Sequence, residues 1–172
     1  MIDVYDDKFS YNEIKTYYNS LKTSYFVTGG SDESPSGDEV QIHSRYTEQD
    51  SLNMGLVKTE FFQKLVQAYQ LDKRKMIQTR VNLTTNAEKN RIHSDGRGLT
   101  FIYYANPEWK IEWGGHTLIM DSHNKEVEKT IIYKPGRCVI FDASLPHMIM
   151  TPSNMCPTVR YTYVIQYGNV ER

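Results

Sequence analysis

VRYTYVIQY, residues 159–167, is a run of β-branched and aromatic side chains that reads as a strand, with an arginine set inside it. Alternation puts Arg160, Thr162, Val164 and Gln166 on one face and Tyr161, Tyr163, Ile165 and Tyr167 on the other. Six further runs of the same texture precede it: MIQTRVNLT (76–84), LTFIYYA (99–105), HTLIM (116–120), TIIY (130–133), CVIF (138–141) and HMIM (147–150). Polar or Gly/Pro-containing segments separate them. Seven short strands behind a helical N-terminal part predict a mainly-β, α+β fold: an antiparallel sandwich or open barrel braced on one side by helices.

Two helices are expected ahead of the strands. Ser10 and Glu13 have capping-box spacing, and Tyr11, Ile14, Tyr18 and Leu21 recur at helical intervals, which predicts a helix over 11–22. Phe61, Phe62, Leu65, Val66 and Tyr69 form an apolar stripe that predicts a second helix over about 58–71, its stripe packed in the core. Between them, GGSDESPSGDE (29–39) has the composition of a solvated loop and is a candidate flap. The expected organisation is one domain over 1–172, with 1–74 as helical and loop support and 75–168 as the core.

The 172 residues are 39% hydrophobic and 24% charged, as in a globular domain. With 20 basic against 21 acidic residues, the formal net charge of −1 provides no field to attract a nucleic-acid backbone or an anionic membrane. The start MIDVYDDKFS lacks a basic, apolar leader, and no apolar run is long enough to span a bilayer, so a soluble, cytoplasmic protein is expected. Cys138 and Cys156 have no CxxC spacing and read as core filler.

His93 and Asp95 stand two apart in RIHSDGRG, so in an extended segment both side chains leave the same face. That pair alone is a weak signal, because an acid two places after one of five histidines is nearly expected by chance. His147, opening the strand after FDASLP, supplies a second imidazole. Two histidines and one carboxylate bind one face of an octahedral Fe(II) and leave the other open, although zinc uses the same set. Arg160 is costly inside a sheet unless an anion meets it. Either an internal acid or the carboxylate of a ligand satisfies that need, and Thr162 shares its face.

In this order, HSD, GLTFIYYANPEW, WGGHTLIM, GRCVIFDASLPH and VRYTYVIQY resemble the 2-oxoglutarate and Fe(II)-dependent dioxygenases, especially their prolyl 4-hydroxylase-like branch. The likeness covers about residues 75–168. It implies a double-stranded β-helix, the cupin-like jelly roll, with His93, Asp95 and His147 as iron ligands. It further implies that Arg160 and Tyr104 receive the C5 carboxylate of 2-oxoglutarate, with Thr162, on the face of Arg160 by alternation, as a further candidate cosubstrate residue.

The activity implied is oxidative decarboxylation of 2-oxoglutarate to succinate and carbon dioxide, coupled to hydroxylation of a substrate C–H. Fe(II), 2-oxoglutarate and O2 are required, with ascorbate as a candidate reductant. A peptidyl prolyl substrate is the leading expectation, and Arg97, Trp109 and Trp113 are candidate substrate residues beside loops 29–39 and 105–115. The alternatives are a hydroxylase of a small molecule or free amino acid, and a jelly-roll binding module without turnover. Two positions depart from the pattern: Leu83 stands where the branch has a cosubstrate tyrosine, and His116 opens the strand after the double glycine, as a solvent-facing or supporting group.

Overall fold

The computed structural model describes residues 1–24, 27–29, 41–88, 90–121, 123 and 126–170. Most of the expected 29–39 flap therefore lies outside the described residues. The first helix, α1 (Tyr11–Lys22), occupies the range its capping box predicts: Ser10 N donates to Glu13 Oε2 at 2.8 Å, and Glu13 N to Ser10 Oγ at 3.4 Å. A short helix that no apolar stripe announces, α2 (Glu48–Met54), is capped the same way by Thr47 and Asp50 and buries only Ser51 and Met54. The stripe centred on Phe62 and Leu65 forms α3 (Glu60–Tyr69). This helix is shorter than expected because tight 3-10 turns at 56–58 and 71–73 flank it and Gln70 takes a left-handed conformation at its end.

Three strands arise before residue 74: β1 (Ile2–Tyr5), β2 (Val27–Gly29) and β3 (Gln41–Arg45). The seven runs read as strands become β4 (Arg74–Thr84), β5 (Leu99–Tyr104), β6 (Thr117–Met120), β7 (Val127–Ile131), β8 (Cys138–Asp142), β9 (His147–Ile149) and β10 (Arg160–Val170). They form two antiparallel sheets, ordered β1-β8-β5-β10-β4-β3-β2 and β7-β6-β9. The N-terminal segment thus does more than brace: it supplies both edges of the larger sheet. This two-sheet arrangement is the expected jelly roll.

Alternation along β10 divides the molecule into two apolar layers. Tyr161, Tyr163, Ile165 and Tyr167 pack with Phe101 and Tyr103 against Leu21, Phe62 and Leu65 of the helices. Val164 on the opposite face packs with Ile102, Tyr104, Ile119, Ile131, Tyr133 and Phe141, residues drawn from both sheets. Each fully buried aromatic or aliphatic side chain contributes about 1.5–3 kcal/mol relative to exposure, which favours burying both faces of β5 and β10. Gly98 sets the start of β5 with φ +115°, and a Cβ there would lie 2.0 Å from Tyr167 O, so only glycine fits. Cys138 is core, as expected; Cys156 is instead half-buried in a loop, its Sγ donating to Thr158 O at 3.1 Å. Among the described residues no helix is long and apolar enough to cross a membrane.

Candidate active site

His93 and His147 are joined through their backbones: His93 N donates to His147 O at 2.9 Å, and His147 N to His93 O at 2.8 Å. This bridge aligns residues 54 apart in sequence, so the two imidazoles lie 4.4 Å apart at their centroids. Asp95 N donates to Ala143 O at 2.9 Å, which turns the carboxylate toward them. Asp95 Oδ1 is 3.9 Å from His93 Nε2 and Oδ2 is 3.7 Å from His147 Nε2. One ligand atom from each of the three residues lies within 4.8 Å of the other two.

Contacts behind these side chains fix their donor atoms. His93 Nδ1 is 3.2 Å from Arg91 O and His147 Nδ1 is 3.0 Å from Leu145 O, geometry that places the proton on Nδ1 and leaves Nε2 as the lone pair facing the shared point. Thr100 Oγ1 donates to Asp95 Oδ2 at 2.7 Å. Burial lowers the pKa of His147, more than the nearby Asp95 raises it, which favours the neutral, ligating imidazole. Two neutral imidazoles and one carboxylate, all aimed at one point, fit a divalent cation. Thr100→Val should keep the fold and weaken metal affinity about tenfold, the smaller end of the usual effect of such supporting bonds; equilibrium dialysis with metal analysis measures it.

The structure brings Arg160, Tyr104 and Thr162 together on one face. Thr162 is the register partner of Tyr104. Arg160 is fully buried, and among the described residues no carboxylate forms an ion pair with it. Its Nε donates to Gly115 O at 2.8 Å and its Nη atoms to Thr162 Oγ1 at 3.3 Å and Thr117 Oγ1 at 3.4 Å. The guanidinium carbon lies 5.4 Å from the Tyr104 ring centre and 5.2 Å from that of Tyr133, so aromatic faces take part of its charge. Burial raises the Tyr104 phenol, which stays protonated and donates to Thr117 Oγ1 at 2.7 Å. Thr117 and Tyr133 were not singled out from the sequence. The only signal was position: Thr117 follows His116 in a strand, and Tyr133 ends an apolar run.

A cavity of about 440 Å³ opens beside the triad, lined by His93, Asp95 and His147 with Thr100, Ile102, Ile149, Val164 and Gln166. Register pairs Gln166 with Thr100, Val164 with Ile102 and Thr162 with Tyr104, so Arg160 lies further along the same inner face and does not line this cavity.

Three expected substrate residues are placed elsewhere. Trp109 packs on Tyr133 with centroids 4.3 Å apart, its Nε1 donates to Gly114 O at 3.0 Å, and Trp113 meets it edge-on at 5.5 Å. Neither lines the cavity, because the 105–115 loop folds back over the Arg160 end of the sheets instead of flanking a groove. Arg97 is exposed and also outside the cavity lining. Leu83 packs against the helix-side core and, together with its neighbours Asn82 and Thr84, lines the cavity. His116 is half-buried and its Nδ1 accepts from Tyr133 N at 3.2 Å, a supporting contact beside Arg160.

The family model described as the 2OG-Fe(II) oxygenase superfamily matches residues 66–166. No curated protein sequence matches the chain. Among solved structures, a prolyl-4-hydroxylase of Pseudomonas putida is similar with a TM-score of 0.75 at 13% identity, over 98% of this chain and 92% of that one. A Trichoplax adhaerens prolyl hydroxylase in complex with a hypoxia inducible factor peptide fragment gives 0.66 at 15% identity, over 97% and 83%. HygX of Streptomyces hygroscopicus, with nickel and 2-oxoglutarate bound, gives 0.69 at 10% identity, over 97% and 82%.

Proposed function

The chain belongs to the 2OG-Fe(II) oxygenase superfamily and is a 2-oxoglutarate and Fe(II)-dependent dioxygenase; from that premise we propose that it hydroxylates a C–H bond of a peptidyl prolyl substrate at the His93, Asp95 and His147 site. The convergence of those three side chains, with ligand atoms within 4.8 Å of one another, carries the reading of the site. The prolyl assignment is supported by likeness of fold to the Pseudomonas putida prolyl-4-hydroxylase.

When bound, Fe(II) supplies the activation of dioxygen that couples decarboxylation of 2-oxoglutarate to oxidation of the substrate. The chain's own residues hold and orient. His93 and His147 offer Nε2 because backbone carbonyls hold their Nδ1 protons, and Asp95 offers the anionic oxygen that Thr100 orients. Arg160, with Thr162 and the Tyr104 hydroxyl, receives the C5 carboxylate of 2-oxoglutarate, which gives the buried guanidinium its anionic partner. Ile102, Ile149 and Val164 on the cavity wall exclude water from the reacting centre.

A small-molecule or free amino-acid substrate is the second reading, favoured by one observation: neither Trp109 nor Trp113 reaches the cavity to wall a peptidyl ring. The two separate in one assay. Proline-containing peptides should stimulate succinate formation in stoichiometric step with hydroxyproline, measured by mass spectrometry, while free proline stimulates poorly. Stimulation by free amino acids with peptides inert establishes the second reading.

A further inference from the structure

Beside the metal ligands the cavity wall is a rung of three polar side chains. β10 pairs Gln166 with Thr100 of β5 on one side and with Gln78 of β4 on the other, and all three line the cavity with His93, Asp95 and His147. Thr100 places the rung, because its Oγ1 donates to Asp95 Oδ2 at 2.7 Å. Gln166 is thus one strand spacing, about 4.8 Å, from a residue that touches a metal ligand, and Gln78 is its immediate neighbour on the next strand. Gln166 is only 8% exposed, yet its carboxamide and that of half-buried Gln78 have no hydrogen-bond partner among the described residues. The arginines of the lining differ, since Arg45, Arg80 and Arg91 each already have a partner within the protein. Register shifts directly after the pair: Gln166 faces Gln78 but Tyr167 faces Met76, so Ile77 is an extra residue in β4. A bulge of this kind bends the strand and re-aims the side chains beside it.

Resting on the prolyl hydroxylase reading, we propose that Gln78 and Gln166 bind an amide group of the prime substrate, next to the carbon that is oxidised. Each carboxamide carries an acceptor oxygen and two N–H donors, so two of them side by side complement the C=O and N–H of one amide. An ester lacks the N–H and leaves a buried acceptor unmet. In a prolyl substrate the amide bound is the one that follows the ring, because the one formed by the ring nitrogen has no N–H. The cosubstrate does not account for the pair: 2-oxoglutarate runs from Arg160 to the metal, whereas Gln166 stands six residues beyond Arg160 on β10, about 20 Å of strand. A peptide bond and the primary amide of a small molecule present the same group, and the test distinguishes them.

The protein is loaded with Ni(II), saturated with 2-oxoglutarate, and titrated by calorimetry with two matched pairs, all neutral. The first is N-acetylprolinamide against N-acetylproline methyl ester. The second is acetyl-Gly-Pro-Ala-amide against the same compound with an ester oxygen in place of the alanine N–H. At least one amide should bind about tenfold or more tightly than its ester, as expected when a buried acceptor loses its donor. Preference in the second pair alone identifies a peptide bond, and preference already present in the first identifies a small-molecule amide as sufficient.

Gln166→Met, which keeps the length of the side chain and removes its hydrogen-bonding atoms, should reduce the preference to about twofold or less. Gln78→Met, at a half-buried position, should lower it partway and serves as the readout if Gln166→Met does not fold. The ratio of amide to ester affinity is a quantity that a merely structural glutamine would not move. Equal binding within both pairs, in which case water alone meets the carboxamides, overturns the proposal and leaves the hydroxylase reading standing, as does a preference unchanged in every variant that folds. Binding by none of the four probes overturns the proposal together with the prolyl assignment. Failure of Ni(II) or 2-oxoglutarate to load overturns the hydroxylase reading itself.

Discussion

Alanine at Asp95 is expected to abolish stoichiometric Fe(II) binding and 2-oxoglutarate-dependent turnover together. Loss of a supporting second-layer bond typically costs tenfold to a hundredfold in metal affinity, so losing the only anionic ligand should cost more than about a hundredfold. Two facing imidazoles would remain, held by the same backbone bridge and the same carbonyl contacts. The fold should survive, because the Asp95 backbone bond to Ala143 O does not involve the side chain. Equilibrium dialysis gives the metal stoichiometry, succinate release gives the turnover, and far-UV circular dichroism controls for folding. Unchanged iron binding and turnover in a folded Asp95→Ala protein would sink the ligand assignment.

Arg160→Ala should weaken 2-oxoglutarate binding by about thirtyfold or more, since truncating one partner of a buried charged pair costs about 2–5 kcal/mol. Lysine should rescue only part of that affinity, because an ammonium cannot reproduce the guanidinium fork. Stability should move differently. Without cosubstrate Arg160 is a fully buried cation that rests on Gly115 O, two threonines and two aromatic faces, with no ion pair among the described residues. Arg160→Met, which removes the charge and keeps an apolar stem, should therefore leave the melting temperature unchanged or raised while 2-oxoglutarate affinity collapses. Calorimetric titration and thermal unfolding read the two effects separately. Equal affinity in wild type and Arg160→Ala would refute the carboxylate role. A large fall in stability for Arg160→Met with affinity retained would make Arg160 a structural residue.

Local features carried much of the architecture. The capping box at Ser10 and Glu13 announced α1 because both partners lie within one turn, and the texture of the seven runs announced β4 to β10 because β-branched and aromatic residues suit a pleated, buried surface. The alternation in 159–167 also sorted Arg160 and Thr162 from the tyrosines that pack under the helices. By contrast, α2 and β1 to β3 escaped notice. They are short, carry no stripe or strict alternation, and take their stability from what they pair with, as β1 does with β8.

For the site, an HxD pair, a later histidine and a cation inside an apolar strand are visible without coordinates, and the family resemblance joined them into one expected set. Which side chains share a space was decided only by the tertiary structure. The two histidines meet through a backbone bridge across a 54-residue separation, Thr117 and Tyr133 reach Arg160 from other strands, and Trp109 turns away from the cavity to pack on Tyr133. Pairing of strands distant in sequence sets those distances. The same pairing puts Arg45 beside Arg80, because a cross-strand neighbour is chosen by register and not by any pattern in either strand alone.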